Sequence, residues 1–274
     1  MNQKNDNREL SKEIWRRAFT SLISGVKMRT VAAKSFLLAF VATLFTIPYF
    51  HYYLTVAVSK DDGLSMAQNS WPFLPFSPFL PFLIFQLTIL FFLLFLCSMI
   101  GLTFSKRYSL PGFGDFKKFL KSIPLLIVAG SVMIALSFIF FDRFYFQISP
   151  QSYPVDMIYL VSFPFKSALT DQIIALLGLT TIAVGLLRSK GAGVVLVSAL
   201  SAFFIIKYNQ FVGIDPEFEY LFVSQLLVAF ISNLIFGYLY VKHGLYYAMG
   251  LKFVFGLKYI VVMVLLGYVG GGLI

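Results

Sequence analysis

Cysteine, histidine and charge are all scarce in this chain. One cysteine among 274 residues excludes an intramolecular disulfide, and Cys97 falls inside an apolar run, where packing is its ordinary use. The two histidines, His51 and His243, have no cysteine or carboxylate at ligand spacing. That pattern excludes an HExxH-type or multi-histidine metal centre, so no metal and no cofactor are implied. Charged residues make up 12% of the chain, about half the globular share, which is too few to clothe a soluble domain. The glycines of PGFGDF, Gly112 and Gly114, have no Lys-Ser/Thr after them, so a phosphate-binding loop is missing. No serine sits in a glycine pattern with a histidine in a later span, which excludes a rhomboid-like site. The basic runs are juxtamembrane and do not form a nucleic-acid reader.

What is abundant is apolar residues, 59% of the chain, against roughly 45–50% in globular proteins. They recur in stretches at about 31–58, 79–104, 122–141, 157–187, 191–213, 219–241 and 244–274, each long enough to cross a hydrocarbon layer of about 30 Å as a helix. The expected fold class is all-α: a polytopic transmembrane helix bundle of about seven spans, preceded by an N-terminal amphipathic interfacial helix. Pro164, Lys166 and Asp171 interrupt the fourth stretch, so a re-entrant piece followed by a helix from about Thr170 is the alternative there. The chain divides into a basic amphipathic segment at 1–30, scaffold spans 1–3 over 31–150 and spans 4–7 over 155–274.

Charge sets the expected orientation. Lys and Arg crowd the first 34 residues and recur at Lys106, Arg107, Lys117, Lys118, Lys121, Arg188, Lys190 and Lys242, all on one side under seven alternating spans. Asp61, Asp62, Asp142, Asp156, Asp215, Glu217 and Glu219 fall on the other side. The positive-inside rule then gives a cytoplasmic N-terminus and an outer C-terminus. Short loops and strong bias suit a bacterial inner membrane, and a long basic start without an A-x-A-like site does not fit a cleaved signal peptide.

Several segments invite a partner or the headgroup layer. Residues 9–29 place Leu10, Ile14, Ala18, Leu22 and Val26 on one helical face with Lys12, Arg16 and Arg17 elsewhere, which fits an anchor on anionic lipid at the cytoplasmic face or a docking surface. FGDFKKFLK at 113–121 is expected to lie along the headgroups. In WPFLPFSPFLPF at 71–82, Pro72, Pro75 and Pro78 alternate with Phe73, Phe76 and Phe79 at the period of polyproline II. That edge could hold a partner membrane protein or cover its own helix ends. Gly267, Gly270, Gly271 and Gly272 offer a close-contact face in the last span.

Polar residues inside spans are costly, about 2.5–3.5 kcal/mol per charge on insertion scales, and they turn to a bundle interior and a partner. Asp171, Lys207, Lys252 and Lys258 form the candidate intramembrane cluster, with Thr170 and Gln172 adding hydrogen-bonding capacity. One acid against three bases leaves lysines to snorkel, reach water or pair with something else. Either an ion pair fixing helix register or a polar cavity for a substrate, headgroup or peptide is consistent with this set.

The order TDQIIALLGL at 170–179, SALSAFFIIK at 198–207 and FGYLYVKHGLYYAMGLKFVFGLKY at 236–259 resembles the CPBP family, the CAAX protease and bacteriocin-processing intramembrane proteases, over about residues 155–262. The resemblance implies a glutamate pair at Thr170–Asp171 or Asp171–Gln172, an arginine near Ala175, a phenylalanine retained as Phe203 with the histidine four later replaced by Lys207, and a final histidine and asparagine replaced by Lys252 and Gly256. None of the family's catalytic side chains stands in its place. The resemblance therefore implies a degenerate, non-catalytic relative that binds a partner protein or a lipid-linked ligand. The alternatives are an active intramembrane peptidase using altered residues, or a transporter subunit with Asp171, Lys207 and Lys252 along its pathway.

Overall fold

A computed structural model describes residues 28–59, 79–148, 157–212 and 219–265, with side chains over 30–51, 80–146, 157–204 and 223–265. The described chain is all-helical, in seven antiparallel helices. α1 is Met28–Ser59 and α2 is Phe79–Ser105. α3 comprises Phe116–Ser137, a π-helical turn Phe138–Asp142 and Arg143–Ile148. α4 comprises Met157–Lys166, π-helical turns Ser167–Asp171 and Ile173–Thr180, and Thr181–Leu187. α5 is Lys190–Val212, α6 is Glu219–His243, and α7 is Leu245–Gly256 continued by Lys258–Leu265.

Six of these helices are long and apolar enough to cross a membrane, while the described apolar part of α5 is shorter, Lys190–Phe204. The protein is an integral membrane protein of about six such spans. Its surface agrees: Phe36, Leu37, Phe40 and Leu44 on α1, and Leu125, Val128, Val132 and Leu136 on α3, are exposed. At three- to four-residue spacing they form apolar outer faces, the pattern that lipid satisfies and water does not.

The bundle is drawn together where a glycine replaces a side chain. At the crossing of α2 and α4, a Cβ on Gly101 would stand 2.5 Å from the Leu177 Cβ, and one on Gly178 would stand 2.8 Å from Cys97 Sγ. No larger residue fits without separating the helices, and such small-residue contacts are how membrane helices gain close packing. Leu94, Ile173 and Leu177 fill the interior around this crossing.

The basic loops gather at one end. Leu245 N donates to Gly112 O and Tyr246 N to Phe113 O, while Lys190 Nζ donates to Ser109 O at 2.6 Å. Gly114 (φ +83) and Gly244 (φ +102) press backbone to backbone, where a Cβ on Gly244 would lie 2.5 Å from Gly114 Cα. Gly244 alone separates α6 from α7, and only glycine combines that left-handed φ with such an approach. α1 starts at the same end, since Thr30 and Lys34 border a cleft with Lys106 and Gly114.

Three expectations change. Residues 79–82 are not polyproline II: Phe79 opens α2 and Pro81 sits in its first turn, where a missing N–H costs nothing. The remaining Pro72, Phe73, Pro75, Phe76 and Pro78 lie outside the described residues, as do the amphipathic face at 9–26 and Gly267–Gly272. The second change concerns only an alternative: the fourth stretch is the continuous span of the main reading and not a re-entrant piece, α-helical through Pro164 and π-helical from Ser167. Residues 116–121 form no separate interfacial helix but the start of α3, capped by Asp115 Oδ1 accepting from Lys117 N at 3.0 Å and Lys118 N at 3.2 Å. The apolar part of α3, Phe116–Phe146, has 31 residues, or about 46 Å. A helix so much longer than the hydrocarbon layer brings Lys117, Lys118 and Lys121 to headgroup level without lying flat.

Candidate functional site: an intramembrane cavity with an uncompensated lysine

Two carboxylates inside the bundle meet a partner on their own helix through one local cause. A π turn closes its hydrogen bonds from i to i+5, so residues five apart share a face. Across Phe138–Asp142, Ser137 Oγ donates to Asp142 Oδ2 at 2.6 Å. Across Ser167–Asp171, Lys166 Nζ pairs with Asp171 Oδ1 at 2.9 Å and donates to Oδ2 at 3.1 Å. Thr180 Oγ1 follows the same register, donating to Ala175 O at 2.8 Å. In an ordinary α-helix none of these pairs would face each other squarely.

The buried carboxylate of Asp142, 1% exposed, takes a second partner from the last helix: Lys258 Nζ stands 3.0 Å from Oδ1. The rings of Tyr259, Phe255 and Phe141 lie 5.3, 5.5 and 5.8 Å from that ammonium. The second pair is more open, and Lys166 Nζ also lies 5.2 Å from the Tyr49 ring centroid. Both lysines are thus held by one carboxylate and at least one aromatic face, the arrangement that makes a buried ammonium tolerable.

Lys252 is different. Among the described residues no carboxylate lies within ion-pair distance of it, and its Nζ rests 4.9 Å from the Phe236 ring and 5.7 Å from Phe255. Phe255 is therefore flanked by two ammonium groups. Asp171 is near enough to act on Lys252 electrostatically, and α7 packs on the Ser167–Asp171 turn, but the carboxylate itself is held by Lys166. Lys252 lines a cavity of about 230 Å³ with Asp142, Lys258, Ser167, Gln225, Ser232 and Asn233. With Asp142 and Lys258 paired to each other, Lys252 is the remaining amine of the lining, beside several hydrogen-bonding groups.

No family model, curated protein or solved structure matches the chain. The positions singled out by the resemblance to CPBP proteases fall in several places. Lys252 and Gly256 line the cavity, and a Cβ on Gly256 would lie 2.9 Å from Pro164 Cα, so its role is close packing of α7 on α4. Thr170 is buried and shares a 2.8 Å hydrogen bond with Thr46. Gln172 is buried, and its Oε1 has no partner among the described residues. Phe203 is 49% exposed on α5. Lys207 lies on α5, and its side chain is outside the described residues. Among the described residues no three His, Cys, Asp or Glu side chains group as a metal site.

The sequence reading missed Asp142 and underused Lys166. Asp142 was expected in an outer loop because the apolar stretch ends at residue 141, yet α3 runs on to Ile148 and buries it. The available signal was the run FDRFYF at 141–146, where single charges are flanked by aromatic residues. Lys166 escaped as the partner of Asp171 because a five-residue spacing is not a contact in α-helical register.

Proposed function

We propose that this chain is a non-catalytic, CPBP-like membrane protein that serves as a binding, assembly or regulatory subunit for a partner membrane protein or a lipid-linked ligand. Its setting is a bacterial inner membrane, with the basic end cytoplasmic, the C-terminus outside and the N-terminal segment on anionic lipid. The observation that carries the reading is the engagement of Asp171 by Lys166. A carboxylate whose two oxygens both hold an ammonium of the same helix, at 2.9 and 3.1 Å, is poorly placed to orient and deprotonate a water. Lys252, at the position of a family histidine, attracts an anion when protonated, and in that state it has no lone pair with which to take a proton from water. Binding is what such a cavity does well; hydrolysis is not.

The test pairs two measurements on the full chain. Incubation with a prenylated CAAX-type peptide and with a leader peptide is expected to give no cleavage, from wild type or from Asp171→Asn. Gentle detergent extraction is expected to recover the protein with a stoichiometric co-eluting protein or lipid. Cleavage by wild type that disappears in Asp171→Asn, or a chain that always elutes alone and free of lipid, overturns the proposal.

A further inference from the structure

Beside the cavity runs an apolar groove of about 410 Å³ between α3 and α6, lined by Leu136 and Phe140 on one side and Val223, Leu227 and Ile231 on the other. The two spaces adjoin, with Val228, Ser232 and Phe255 bordering both. The groove follows α6 from Val223 to Ile235, about 18 Å along the axis. A slot of that length with an almost wholly apolar lining suits an acyl chain laid along α6. Its rim residues Leu136, Phe140, Leu227 and Ile231 are all half or more exposed, so it opens to the surrounding lipid.

Position and charge specify what the chain is attached to. Gln225 lies six residues into α6 and Tyr145 three residues from the end of α3, placing the mouth of the cavity in the half of the bundle away from the basic loops. At its inner end is Lys252, with Ser232 and Asn233 beside it. A lysine with no ion-paired carboxylate among the described residues, sharing its cavity with hydroxyl and amide groups, is suited to a phosphate group as a point-charge contact.

From this juxtaposition we infer that the α3–α6 groove and the Lys252 cavity form one binding site for an anionic phospholipid, its headgroup in the cavity and one acyl chain in the groove. The inference rests on the cavity being a binding centre, and it names the ligand class. A zwitterionic lipid is disfavoured because its quaternary ammonium would enter a cavity lined by two lysine amines against one carboxylate. The lipid's phosphate supplies Lys252 with a directly contacting anion, which no described carboxylate does.

The test uses full-length protein in phosphatidylcholine vesicles with trace phosphatidylglycerol or phosphatidylcholine spin-labelled on the acyl chain, reading the motionally restricted fraction by electron spin resonance. Wild type is expected to restrict phosphatidylglycerol with about fivefold greater association than phosphatidylcholine, the effect of one lysine near a lipid charge. Lys252→Met removes the preference, Lys252→Arg keeps it, and Val228→Trp, which fills the shared mouth, lowers restriction of both lipids. Circular dichroism and monodisperse elution establish that each variant is folded. Equal restriction of both lipids by wild type, or a preference that survives Lys252→Met, overturns the inference. Displacement by inorganic phosphate at constant ionic strength overturns it in favour of a soluble anion, and a photo-crosslinker at Leu227 that captures polypeptide and not lipid overturns it in favour of a protein partner. These outcomes are separate from peptide cleavage, which alone bears on the non-catalytic reading.

Discussion

Removing one side of the Asp142–Lys258 pair tests whether the polar centre is a structural clasp. Asp142 is 1% exposed and accepts from Ser137 Oγ at 2.6 Å while pairing with Lys258 Nζ at 3.0 Å. Asp142→Leu strands the Lys258 ammonium in a cavity that already holds Lys252, leaving two like charges with no described carboxylate in contact. Breaking a buried pair costs about 3–5 kcal/mol, and access to the cavity places this one near about 3 kcal/mol. Lys258→Met is milder, because the carboxylate keeps its charge-assisted bond from Ser137, a contact of about 1.5–3 kcal/mol that survives the substitution. The double variant Asp142→Leu/Lys258→Met replaces both charges with apolar groups, which is often close to neutral. It should be at least about 2 kcal/mol more stable than the two single losses added together. Reversible unfolding of the four proteins in mixed dodecylmaltoside–SDS micelles, followed by far-UV circular dichroism, gives the cycle. Losses that simply add, or a Lys258→Met variant less stable than Asp142→Leu, would refute the clasp and the order of burial behind it.

The α2–α4 crossing is open to a chemical test: in Gly178→Cys the new sulfur should bond to Cys97 on mild oxidation, since the Cβ position at 178 lies 2.8 Å from Cys97 Sγ and 3.2 Å from its Cβ, within a few tenths of an ångström of disulfide spacing. Loss of maleimide reactivity at both thiols reads the bond, and two thiols that both stay reactive would place the helices apart. At the basic end, Gly244→Ala meets a φ of +102 and the backbone of Gly114, so a loss of at least about 1–3 kcal/mol is expected, seen as a lower midpoint of thermal denaturation in detergent. Within the core, Thr181→Val leaves the buried Tyr240 hydroxyl without its 2.8 Å partner and should cost about 1–3 kcal/mol. Tyr240→Phe leaves Thr181 Oγ1 still bonded to Leu176 O at 3.3 Å and should cost less, which the same micelle titration would reveal.

The presence and order of the spans and the clustering of basic loops were legible in the sequence because both follow from local composition. A helix crosses lipid when some 20 consecutive residues are apolar, whatever they later touch. Lysines and arginines between spans report their side without reference to any partner. The loops carrying Ser109, Lys190 and Gly244 could thus be assigned to one end before their contacts were known. The partners inside the bundle could not. Asp171 meets Lys166 and Asp142 meets Ser137 because π turns bring residues five apart into line. Nothing in the residue types announces such a turn, since the extra residue is accommodated by how α4 and α3 pack against α1, α6 and α7. Which lysine keeps a carboxylate and which keeps none was likewise decided in three dimensions, where the continuation of α3 past Phe141 carried Asp142 to Lys258 and left Lys252 facing the cavity. Hydrophobicity is additive along a chain and can be read one window at a time, whereas pairing of sparse charges depends on helix rotation and register, which only the packed bundle fixes.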